Sequence, residues 1–97
     1  MTIDRELADG KLTLRVGGRL DTNTSPDLEA ELKLEGVREV VFDFAGLEYI
    51  SSAGLRVLMA AQKAMSSSGG RMSIVGSNDM VRGVLDMTGL SSIFDID

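Results

Sequence analysis

The spacing of hydrophobic positions changes along the chain, and each change marks an element. In KLTLRVGG, residues 11–18, Leu12, Leu14 and Val16 alternate with Lys11, Thr13 and Arg15. A period of two predicts a half-buried strand, which Gly17-Gly18 ends or bulges. Asp9-Gly10 ahead of it is a two-residue hairpin signal, so Thr2 to Leu7 is expected to pair with it antiparallel. In VREVVFDF, Val40, Val41, Phe42 and Phe44 form a nearly continuous apolar run. A strand apolar on both faces belongs in the middle of a sheet. RMSIVG, residues 71–76, reads as a further short strand, and SSIFDID, residues 91–97, as a last strand or docked tail.

Between these segments the spacing shifts to three and four. In GRLDTNTSPDLEAELKL, Thr24 or Ser25 is expected to cap a helix with Pro26 and Asp27 in its first turn. Asp27 stands three residues after Thr24, the spacing of a capping box. Leu28, Leu32 and Ala30 to Leu34 supply its stripe, and Gly36 stops it. A longer helix starts at Ser52. Leu55, Leu58, Met59 and Gln62 step along it, Ala61 and Met65 extend the buried side, and Ser66 to Gly70 end it. Ser77 or Asn78 caps a third helix, with Val81, Val84, Leu85 and Thr88 on one face and Gly89 at its end. The order β-β-α-β-α-β-α, with a possible final strand, predicts an α/β single domain over residues 1–97. Its mixed, mostly parallel sheet of four to five strands would be covered by amphipathic helices through right-handed crossovers.

Composition narrows the chemistry. Hydrophobic residues make up 43% and aromatics only 4%, with no Trp, so the core must be Leu, Val, Ile and Met. The spacing of Met59, Met65, Met72, Met80 and Met87 suits core filling better than an adaptable binding surface. Asp43, inside an apolar strand, is expected to face a polar edge or to accept backbone hydrogen bonds. Net charge is -5 and Lys and Arg do not cluster, which argues against direct nucleic-acid binding. With no Cys and no His, disulfides, thiolate catalysis and Cys-ligated zinc are excluded, and the commonest general base and metal ligand are missing. Neither a GxxxxGK[ST] loop nor a GxSxG elbow is present, so the chain is expected to be neither an enzyme nor a cofactor carrier. The segment MTIDRELADG lacks the marks of a signal peptide, and no apolar run approaches the ~20 residues of a membrane span. The expected compartment is the cytoplasm. With no exposed apolar stripe in the pattern, the expected state is a monomer.

The stretch YISSAGLRVL, Tyr49 to Leu58, sets Ser51 and Ser52 between an apolar run and the start of the longest helix. Helix amino ends present unpaired amides and about half a positive charge, and ligands of open α/β sheets gather there. One serine serves as an N-cap. The second has no obvious structural task, and Ala53-Gly54 leave it unshielded. Gly54 in a first helical turn costs up to ~1 kcal/mol relative to Ala, so the small residues suggest that another surface approaches closely. A phosphate there would suit the helix end and repel a partner fitted to a neutral hydroxyl. Asp21, in RLDTNTSP, is either part of an ordinary polar loop or a neighbour of this serine.

The stretch VVFDFAGLEYISSAGLRVLMAAQKAM resembles the STAS domain of bacterial anti-sigma factor antagonists. GRLDTNTSPDLEAEL resembles that family's loop and first helix, and SIVGSNDMVRGVLDMTGL its closing strand and helix; the likeness spans essentially the whole chain. It implies a protein that, when unphosphorylated, binds an anti-sigma factor with serine kinase activity and so frees a sigma factor. Phosphorylation would abolish binding, and a PP2C-type phosphatase would restore it. Matching Gly54-Leu55 to the family's Gly-Leu puts the phosphoacceptor at Ser52, with Ser51 as the alternative; Ser51 falls where many members carry Asp. The implied binding surface is Asp21, Thr22, Asn23, Thr24, Ser51, Ala53, Gly54 and Arg56. The competing expectation is a STAS adaptor, a subunit of a transporter or signalling scaffold with no phosphoswitch.

Overall fold

The computed structural model describes residues 1–89 and 95–96. Strand β1 (Thr2–Ala8) turns through Asp9 and Gly10, both at positive φ (53° and 79°), into β2 (Lys11–Leu20). The pair is antiparallel and closes at Ala8 opposite Lys11, the tight turn that Asp-Gly favours. Helix α1 (Ser25–Ala30) follows, then β3 (Glu39–Asp43), β4 (Leu47–Ile50), α2 (Ser52–Ser67), β5 (Arg71–Val75), α3 (Asp79–Met87) and β6 (Asp95–Ile96). The sheet runs β1-β2-β3-β5-β6, with β4 beside β2 and every pairing after the first hairpin parallel. The final strand expected in SSIFDID is β6; its neighbours at 91–94 and 97 lie outside the described residues.

Register explains the core. Leu12, Val40 and Met72 lie in one row across β2, β3 and β5, and Leu14, Phe42 and Ile74 in the next. All six are buried and share one cluster with Leu28 of α1, Leu55, Leu58, Ala61 and Met65 of α2, and Val81 and Leu85 of α3. The helices therefore cover a single face. The intervening rows, Lys11-Glu39-Arg71 and Thr13-Val41-Ser73, turn to the other face. Central β3 was expected to be apolar on both sides; instead it alternates, with Val40 and Phe42 buried and Val41 half-buried. Asp43 sits on the uncovered side and accepts a hydrogen bond from the Ala45 amide at 3.0 Å, which meets its need for a partner.

Four expectations need correction. Helix α1 has six residues, and its last turn tightens through Glu31 N–H to Leu28 O and Leu32 N–H to Glu29 O. Leu32 and Leu34 pack on the core from the following chain, outside any helical stripe. No capping box forms, because Thr24 has helical φ and ψ and its hydroxyl instead donates to Arg19 O at 2.8 Å. Strand β4 is an element absent from the order that the sequence predicts, its four residues being too few to show a period. Of the five methionines assigned to the core, only Met65 and Met72 are buried; Met59, Met80 and Met87 are 51%, 59% and 89% exposed. Among the described residues, no helix is long and apolar enough to cross a membrane.

Candidate functional site

Two parallel strand ends bring the two predicted segments together. The partners of β2 change along its length: β3 pairs with Lys11–Arg15 and β4 with Gly18–Leu20, across a register shift at Gly18 and Arg19. Gly17-Gly18 thus bulges the strand without ending it. Leu20 pairs with Ile50, and the Ser51 amide donates to Leu20 O at 2.9 Å. Asp21 and Ser51 consequently leave the sheet side by side, although thirty positions separate them in sequence.

The two serines have different tasks. Ser51 is the N-cap of α2: its backbone is extended, its hydroxyl accepts from the Gly54 amide at 3.4 Å, and its carbonyl accepts from Leu55 N–H at 3.0 Å. Ser52 is the first helical residue and is exposed. Among the described residues nothing hydrogen-bonds its side chain. Ala53 is half-buried and Arg56, one turn on, is exposed.

Gly54 corrects the reason assigned to it. A Cβ there would stand 2.7 Å from Leu20 Cγ and 2.9 Å from Ile50 Cγ1. The close approach that excludes a side chain is made by this chain's own strand ends. Gly54 is buried and seats the first turn of α2 on β2 and β4.

The Asp21–Thr24 loop is held by its own hydrogen bonds. One Asp21 carboxylate oxygen accepts from Asn23 N at 3.0 Å and Thr24 N at 3.1 Å, and lies 3.2 Å from the Thr24 hydroxyl, whose one proton is shared with the nearer Arg19 O. The Thr24 hydroxyl also accepts from Asp21 N at 2.9 Å. Partial desolvation works to raise the Asp21 pKa. The hydrogen bonds from the Thr24 and Asn23 amides and the Thr24 hydroxyl, together with the Arg19 charge, outweigh it and hold the carboxyl below its ordinary 3.8. Thr22 and Asn23 are exposed beside it and Thr24 is half-buried.

Arg19 and Tyr49 were not singled out in the sequence. The Arg19 guanidinium lies 4.3 Å from the centre of the Tyr49 ring and reaches an Asp21 oxygen at 3.9 Å. These residues pair across β2 and β4, so no local pattern joins them before β4 is known.

With this geometry in place, comparison with known proteins is decisive at one point: the STAS domain profile matches residues 2–97. The chain belongs to the STAS domain family. It is 34% identical to the candidate anti-sigma factor antagonist BtrV of Bordetella bronchiseptica, over 99% of this chain and 85% of that protein. Among solved structures, an anti-sigma factor antagonist from Mycobacterium paratuberculosis superposes with a TM-score of 0.87 at 26% identity, covering 98% of this chain and 83% of the other. The Bacillus cell fate determinant SpoIIAA in its phosphorylated form shares the fold, with a TM-score of 0.80 at 17% identity over 99% of this STAS domain and 91% of that chain.

Proposed function

We propose that this STAS domain is an anti-sigma factor antagonist switched by phosphorylation of Ser52. Unphosphorylated, it binds an anti-sigma factor that is also a serine kinase, and the sigma factor is released. Ser52 Oγ then forms a bond to the γ-phosphorus of ATP, giving its proton to a base of the kinase as ADP departs. The new phosphoryl charge ends the complex, and a PP2C-type phosphatase removes it by hydrolysis. The observation that carries this reading is the division of labour at the start of α2. Ser51 is occupied as the cap, while the Ser52 hydroxyl is exposed and free among the described residues.

The contact surface comprises the loop Asp21, Thr22, Asn23 and Thr24 with the helix start Ser51, Ala53, Gly54 and Arg56. Gly54 contributes through the backbone geometry it permits. The names borne by BtrV and the Mycobacterium protein support an antagonist role, and the phosphorylated SpoIIAA structure supports the modification. Incubation with the cognate anti-sigma kinase and ATP should add ~80 Da, which peptide mass spectrometry will locate on Ser52. Ser52→Ala should block the addition, and Ser52→Asp should lose binding to the kinase. A phosphate on Ser51 instead, no phosphate at all, or undiminished binding by Ser52→Asp would overturn the reading.

A further inference from the structure

Ser52, Arg56, Met59 and Lys63 are spaced four, three and four residues apart on α2, so they form one ridge. The ridge lies opposite the buried stripe of Leu58, Ala61 and Met65, and all four residues are exposed, Met59 to 51%. At 1.5 Å per residue it extends about 16 Å along the helix. Arg56 and Lys63 are the only charged residues of α2, in a chain whose net charge is -5. Neither makes an ion pair among the described residues, a property they share with Lys11, Lys33 and Arg38, whereas Arg5, Arg15, Arg19 and Arg82 are paired; what sets them apart is their place in one row with Ser52 and Met59.

Among the described residues the fold makes no use of these charges. Helix α2 has no acidic residue in its first turn and no basic residue in its last. Its two cations therefore neither complement the helix dipole nor build pairs one turn apart. An exposed, deformable thioether beside an arginine is a pair that contact surfaces favour, and Lys63 extends the same sign of charge along the row.

We propose that this ridge is a docking strip for an acidic surface of the anti-sigma factor, with an apolar socket for Met59 between carboxylates that meet Arg56 and Lys63. The inference rests on the antagonist reading above and extends the interface two turns beyond Arg56. It also explains how one modification ends binding. A phosphoryl group on Ser52 stands one turn before Arg56, the favourable order for an anion–cation pair on a helix. It captures that cation and faces the partner's carboxylates with like charge.

The test measures the affinity of the unphosphorylated chain for its cognate anti-sigma factor, without ATP, by calorimetry at two salt concentrations. Arg56→Glu and Lys63→Glu should each weaken binding by about tenfold or more. Met59→Ala should weaken it less, and wild-type affinity should fall as salt rises. Lys11→Glu, on the uncovered face of the sheet, should bind as wild type does. Unfolding curves of the variants confirm that these surface changes leave the fold intact. Normal binding by Lys63→Glu alongside tight wild-type binding overturns the strip and leaves the antagonist reading standing. Absence of wild-type binding overturns both.

Discussion

Ser51 and Ser52 carry the same hydroxyl on adjacent residues, yet the backbone gives them opposite fates. Ser51 is extended, and its oxygen accepts from the Gly54 amide; Ser52 is already helical, exposed, and without a side-chain hydrogen bond among the described residues. Ser51→Ala should therefore lower unfolding free energy by about 0.5–1 kcal/mol, the low end for a lost cap because the bond is long. Ser52→Ala should leave stability within about 0.5 kcal/mol of wild type. Urea unfolding followed by circular dichroism distinguishes them, and equal losses would contradict the assignment of the cap. Asp21 shows the same dependence on context. A polar loop residue by sequence, it becomes the acceptor that closes its own loop, and its charge is favoured by two amide hydrogen bonds, with the Thr24 hydroxyl close by, that the unfolded chain does not hold in place.

Elements that show a long period were legible, and those that do not were missed or misread. The hairpin, α2 and α3 each repeat their pattern over several positions, and each lies where the sequence placed it. Asn78 caps α3 as one of the two expected candidates, accepting from Val81 N at 2.8 Å, but its amide also donates to Leu47 O at 3.1 Å, a bond to the strand the sequence hid. In α1 the apolar spacing suited a helix, yet Leu32 and Leu34 reach the core from irregular chain because the segment must return to begin β3. Gly54 is the sharpest case. Helix propensity alone would make Gly54→Ala stabilising. The strands beneath reverse the sign: the added methyl must push Leu20 and Ile50 aside, and a loss of about 1–3 kcal/mol is expected. A thermal melt higher than wild type would refute that packing argument.

Across the whole molecule, covering one sheet face leaves a second face of mixed polarity and an edge at β1. The exposed edge carries Asp4, Arg5 and Glu6 in succession, charges that discourage pairing with another strand. The two cations of α2 likewise repel a second copy approaching through that helix, while the net charge of -5 opposes association in general. The chain should therefore sediment at equilibrium as a 10.4 kDa monomer; a concentration-dependent mass near twice that value would contradict it. On the docking strip proposed above, the same distribution would separate self-repulsion from partner binding, since α2 carries none of this chain's acidic residues.

By itself the sequence determined the class of fold, the hairpin, most of the buried stripe of the long helices, Met59 excepted, and the place of two serines at a helix start. Each of these follows from short-range periodicity, turn chemistry or capping, which act within a few residues. Only the tertiary structure decided which serine caps and which is left exposed, why Gly54 lacks a side chain, and that Asp21 and Ser51 stand together. It also set Arg19 on Tyr49. Those outcomes depend on β4 lying against the end of β2, a parallel pairing between distant segments whose hydrogen bonds leave no periodic trace in four residues.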